Sequence, residues 1–280
     1  MISKIRSGWT AWKICRYQMQ IHYRTRKTLL IAALLFGYIR EMLSSLVIFS
    51  KAVGEPITIW TYAILMNDNI FPFIITTLYI IWMCDAPFLD SLHLYLIGRC
   101  GKKKWIWGEM LFLGVSAFLY ELTCFIFTLI ASVPYLGYDK NWGKVLGTLA
   151  FTNASLQYPV NFEMSTGVLS RFSPQEALFY TLAVSWLIFA GLGLFIFFFN
   201  WISNSFLGTG IAFAFSAMDI MITNMLSNRW YFVSPVSMMR ISIVTGAYHP
   251  SFRYAAIFVA AFLIFPMISI ITVVHIKKGI

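Results

Sequence analysis

The chain has 280 residues, of which 59% are hydrophobic and 11% charged, and carries a net charge of +10. A soluble domain places charge at about a quarter of its positions, so this composition excludes one and makes lipid the main solvent. The basic residues flank apolar runs instead of forming one patch, which points the positive balance at a membrane surface and excludes a nucleic-acid partner.

Residues 1–28 contain Lys4, Arg6, Lys13, Arg16, Arg24, Arg26 and Lys27 and no acid, interleaved with Trp9, Trp12, Ile14, Tyr17, Met19, Ile21 and Tyr23. At helical spacing this predicts an amphipathic helix lying in the interface, its aromatic side toward acyl chains and its basic side toward anionic headgroups. A long mixed stretch before the first apolar run argues against a cleavable secretory signal. Residues 29–280 read as one membrane domain. Six apolar runs, near 29–50, 70–89, 107–132, 175–199, 205–226 and 252–276, are each long enough to cross the ~30 Å hydrocarbon core as helices. The expected fold is therefore an all-α membrane protein with six transmembrane helices behind an N-terminal interfacial helix.

Cations set the expected orientation. The N-terminal segment, the 90–106 connection (Arg99, Lys102, Lys103, Lys104) and the tail (Lys277, Lys278) hold thirteen, against seven across the longer remaining connections. The bias puts both termini in the cytoplasm of a multi-pass protein in the cell membrane. Ser173-Pro174-Gln175-Glu176 predicts a capping box opening the fourth span, and Pro266 predicts a kink in the sixth. Residues 133–172 read as interfacial pieces on the outer side, and 229–248, with Trp230, Tyr231 and Phe232 ahead of Pro235, as a partly re-entrant segment.

No phosphate-cradling Gly-x-x-x-x-Gly-Lys-[Ser/Thr], no His-Glu-x-x-His and no Gly-x-Ser-x-Gly occurs. His22, His93, His249 and His275 are isolated, and Cys15, Cys84, Cys100 and Cys124 form no metal or disulfide spacing. The expectation is a chain with no catalytic group, no metal and no cofactor of its own. Four charges fall well away from the ends of the apolar runs: Arg40 and Glu41 in the first, Glu121 in the third and Asp219 in the fifth. Each costs about 2.5–3.5 kcal/mol at a helix centre, so they are expected to line a translocation path or to pair between helices, with Arg40 meeting Glu121 or Asp219.

The connection after the second span runs Cys84-Asp85-Ala86-Pro87-Phe88-Leu89-Asp90, then Leu92, Leu94, Tyr95, Leu96 and Ile97, then Arg99-Cys100-Gly101-Lys102-Lys103-Lys104-Trp105-Ile106-Trp107-Gly108-Glu109. Asp85 and Pro87 close the span, Gly101 allows a turn, and the tryptophans anchor the next span at the interface. Between them lies a short amphipathic element with an apolar ridge at Leu92, Tyr95 and Leu96, suited to a grip by a cytosolic partner.

Asp85-Ala86-Pro87-Phe88 and Arg99-x-Gly101-Lys102-Lys103-x-Trp105-x-x-Gly108, set in this six-span plan, resemble the type-2 permease subunits of bacterial ATP-binding-cassette exporters, a family linked to peptide, bacteriocin and drug export. The resemblance implies that the first inner loop, Asp90 through Lys104, is a coupling helix seated in a separate ATPase subunit, with the N-terminal helix as a second possible contact. ATP and Mg would then belong to the ATPase, and two permeases, identical or related, would work with two ATPases. The residues it marks for coupling are Asp90, Leu92, Tyr95, Leu96, Arg99, Lys102, Lys103 and Lys104. The alternative reading is a membrane immunity or assembly protein that transports nothing.

Overall fold

A computed structural model describes residues 2–88, 93–203, 205–244 and 249–276. The described residues are all-α apart from one two-residue strand pair. Its helices are α1 (Ile2–His22), α2 (Arg26–Val53), α3 (Thr61–Leu65), α4 (Phe71–Met83), α5 (His93–Cys100), α6 (Lys102–Ala131), α7 (Gly143–Phe151), α8 (Ala154–Gln157), α9 (Thr166–Arg171), α10 (Pro174–Ser203), α11 (Leu207–Asn224), α12 (Ile241–Val244) and α13 (Phe252–Ile276). Strand β1 (Ile57–Thr58) pairs parallel with β2 (Leu136–Gly137).

Five of these helices, α2, α6, α10, α11 and α13, are long and apolar enough to cross a membrane. The second expected span is shorter than the apolar run that suggested it. α4 has 13 residues, about 20 Å of helix against a ~30 Å core. Asn67, Asp68 and Asn69 stop it on one side: the Asp68 carboxylate accepts the backbone N–H groups of Ile70 and Phe71 at 2.8 and 2.9 Å and so caps the helix start. Cys84, Asp85 and Pro87 stop it on the other.

α10 is the hub, packed against α4, α6, α11 and α13. Its entry follows the predicted capping box: Ser173 N–H donates to Glu176 Oε2 at 3.1 Å, and Glu176 N–H donates to Ser173 Oγ at 3.4 Å. α13 runs as one helix through Pro266.

The bundle has two unlike ends. At one end, residues 133–172 fold into a packed cap. Trp60 Nε1 donates to the Asp139 carbonyl at 2.8 Å, Trp142 Nε1 to the Phe172 carbonyl at 3.1 Å, and Thr58 Oγ1 to the Trp142 carbonyl at 3.0 Å. Asn161 holds the Glu41 carbonyl of α2 at 2.8 Å. At the other end lie α1, the 84–88 loop, α5 and the end of α10 with the start of α11.

α1 is a helix, as expected, but its buried face is polar and apolar together. Ala11, Ile14, Cys15, Gln18 and His22 turn inward at helical spacing against α6, and Trp12 is half exposed. Gly108 of α6 makes the contact possible, since a Cβ there would lie 2.6 Å from Ile14. Gln18 Nε2 crosses to Glu109 Oε1 at 2.6 Å.

Candidate functional site

The basic end gathers most residues of the motif-bearing connection. Lys27 Nζ pairs with Asp85 Oδ2 at 2.6 Å and touches Cys84 Sγ at 3.1 Å. Asn200, at the end of α10, donates to the carbonyls of Cys84 and Ala86 at 3.1 and 2.8 Å while its Oδ1 accepts Gly208 N–H at 2.8 Å. One buried amide thus ties the two short turns of this end together. Burial and the nearby Lys27 charge push the His22 imidazole down to about 4, against a smaller opposing effect of Asp85. It therefore sits neutral among Tyr23, Trp82, Phe88 and Phe112. A cavity of about 570 Å³ opens beside it, lined by Gln18, Cys84, Asp85, Phe88, Asn200 and Trp201 among others.

The amphipathic element packs one side, Ile97 and Cys100, on this end and leaves the other side open. α5 begins at His93, so Asp90 and Leu92 lie outside the described residues. Leu94 and Tyr95 are 71% and 61% exposed. Leu96 is only half-buried ridge, because it sits next to Ile97 and one turn from Cys100, both packed toward the core. The exposed edge is therefore Leu94 and Tyr95, with Arg99 donating to the Tyr95 hydroxyl at 3.2 Å. Gly101, at φ 82°, makes the turn into α6 without strain. Lys102 rests 5.6 Å from the Trp201 ring, and Lys103 and Lys104 are exposed. The element thus joins directly onto a 30-residue helix.

The intramembrane charges do not pair as expected. Asp219 meets Arg240, at 3.3 Å with both side chains buried, not Arg40. The segment between α11 and α12 explains why. Two 3₁₀ turns, Asn228–Val233 and Val236–Met239, fold it back against α10, α11 and α4, and 234–241 is buried throughout. Irregular backbone within a membrane domain is tolerated where protein covers it, as it is here. Here Ser237 Oγ donates to Asp219 Oδ1, Arg240 Nη2 to Asn69 Oδ1, and Ser242 N–H to Asn67 Oδ1 at 2.8 Å. The α3–α4 connection, α11 and the folded-back segment are locked around one ion pair. Glu121 accepts the Tyr62 hydroxyl at 2.8 Å in a second buried contact. Arg40 and Glu41 are exposed on α2 and reach neither acid.

Family models, curated proteins and solved structures give no match to this chain.

Sequence reasoning passed over Arg240, counting it as a loop cation. Its signal was present: one arginine inside the apolar run Val236-Ser237-Met238-Met239-Arg240-Ile241-Ser242-Ile243-Val244. Gln18 and Asn200 carried no such signal, since their importance lies in contacts 91 and 114 residues away. Among the described residues no group of His, Cys, Asp and Glu is placed to hold a metal.

Proposed function

We propose that this chain is the permease subunit of an ATP-binding-cassette exporter in the cell membrane. It crosses the bilayer six times, with α4 as the short second crossing, both termini in the cytoplasm and α1 at the inner surface. The observation that carries the reading is α5, a short helix with exposed Leu94 and Tyr95 and a basic junction, fused through Gly101 to the start of a membrane-length helix. An apolar edge facing water is stable when a partner covers it.

In this reading a separate ATPase subunit binds ATP and Mg and hydrolyses the nucleotide. It grips residues 90–104, and closure of two ATPases pushes the element along the axis of α6. α6 packs on α1, α2 and α10, so the push reaches most of the bundle. The substrate is hydrophobic or amphipathic, a peptide, bacteriocin or drug-like molecule, accepted between two permease copies. The Asp219–Arg240 lock and the Glu121–Tyr62 contact support the bundle as it moves.

The test is affinity capture of the tagged chain from its native membrane. A co-purifying protein that carries Gly-x-x-x-x-Gly-Lys-[Ser/Thr] is expected, and Leu94→Asp/Tyr95→Asp is expected to lose it while still folding. Retention of that protein at the wild-type level by the double variant overturns the coupling assignment.

A further inference from the structure

Arg40 and Glu41 are charges for which the fold supplies no use. They lie midway along the 28-residue α2, where Asn161 of the cap reaches the Glu41 carbonyl but pairs with neither charged side chain, and an unpaired charge on an apolar membrane helix is costly. α2 buries Ile31, Leu35, Ile39, Met42, Leu46 and Phe49 on one side. Gly37 lies on the opposite side, where nothing comes within 4 Å of a Cβ built on it. Leu30, Leu34 and Ile48 beside it are 58%, 52% and 61% exposed. At 100° per residue, Arg40 falls on one flank of this outward line and Glu41 on the other. Both are exposed, and neither side chain has a hydrogen-bond or ion-pair partner among the described residues.

We propose that this face of α2 is the contact between two copies of the chain, with Arg40 of each copy paired to Glu41 of the partner subunit. Two copies inserted the same way up are related by a two-fold axis along the membrane normal. That rotation keeps each residue at its own depth and exchanges the flanks. The basic flank of each helix therefore meets the acidic flank of the other, and both charges of both copies are satisfied. Ala33 and Gly37, along the line between the flanks and both exposed, let the two helices come close, while Asn161 of the same chain covers Ser44 further along the helix. The inference deepens the permease reading by locating its second copy, and rests on that reading only for the expectation of two copies.

Copies bearing two different tags are co-expressed and captured through one tag in mild detergent. Wild-type copies co-purify. Arg40→Glu places acid against acid twice in a self-pair, and Glu41→Arg places base against base twice. Each single variant loses self-capture about tenfold. One copy of each variant restores both ion pairs and co-purifies at the wild-type level, and the double variant Arg40→Glu/Glu41→Arg regains self-capture. Undiminished self-capture of the single variants, or a loss that neither mixing nor the double variant rescues, overturns the proposal and leaves a water-lined or differently covered face. If a charge variant fails to insert, Gly37→Cys reports in its place. Oxidised membranes then show a disulfide-linked dimer beyond the wild-type background, absent from Ile257→Cys on the exposed face of α13; no such dimer, or equal amounts from both, overturns it. ATPase capture enters neither readout, so loss of the coupling assignment and loss of this contact are separate results.

Discussion

Two of the opposite-charge couples in this chain, Asp219 with Arg240 and Arg40 with Glu41, have opposite fates. Asp219 and Arg240 are buried against each other, with Ser237, Asn67 and Asn69 completing the network. Arg40 and Glu41 are exposed on α2, and neither charged side chain has a hydrogen-bond or ion-pair partner among the described residues. The first pair is an internal lock, closed by the fold itself. The second is left unpaired among the described residues. Position along an apolar run does not separate the two cases; the side of the helix does.

The largest expected effect tests the lock. Arg240→Ala leaves Asp219 buried and uncompensated, and costs about 3–5 kcal/mol of stability, measured as unfolding of the purified protein in detergent. Asp219→Leu/Arg240→Met recovers most of that loss, because removing both charges also removes their desolvation cost. A single variant as stable as wild type would break the contrast with α2. Next comes the seat of α1. Gly108→Val forces a side chain into Ile14, and costs about 1–3 kcal/mol; limited proteolysis shows faster cleavage within residues 10–25. Tyr62→Phe strips the buried Glu121 carboxyl group of its hydroxyl donor, an effect of about 1–3 kcal/mol by the same unfolding assay.

A smaller effect concerns pH. His22 is held below its ordinary value, to about 4, by burial, so the unfolded chain takes up a proton on this residue where the folded chain does not. Its contribution to stability is complete above about 6.5 and is lost as pH falls toward 4. The melting temperature of the wild type falls over that window, and His22→Phe, which fits the same aromatic surround, flattens the fall. At the bottom of the scale, Lys144→Ala breaks an exposed ion pair with Glu55 at the cap end and leaves the melting temperature unchanged.

How much of this was legible in the sequence differs between elements. Apolar length marked α2, α6, α10, α11 and α13, because a helix must satisfy its own backbone in lipid over a fixed thickness. The capping box at Ser173–Glu176 was legible for a local reason, its partners being three residues apart. The short α4 was not, since an apolar run extends on both sides of a helix that Asp68 and Pro87 bound. The pairing of Asp219 was misread because its true partner lies on a folded-back segment that periodicity cannot see. Arg40 and Glu41 were expected to find partners inside one chain, whereas spacing alone fixes their angle to each other and not the direction they face.

The coupling reading stands or falls at Tyr95. A photo-reactive phenylalanine placed at that position, irradiated in intact cells, is expected to give a covalent adduct with a protein that carries a nucleotide-binding Gly-x-x-x-x-Gly-Lys-[Ser/Thr] motif, while the same group at Phe179, exposed on α10, gives none. Adducts to lipid alone at position 95, or the same ATPase adduct from both positions, would contradict it.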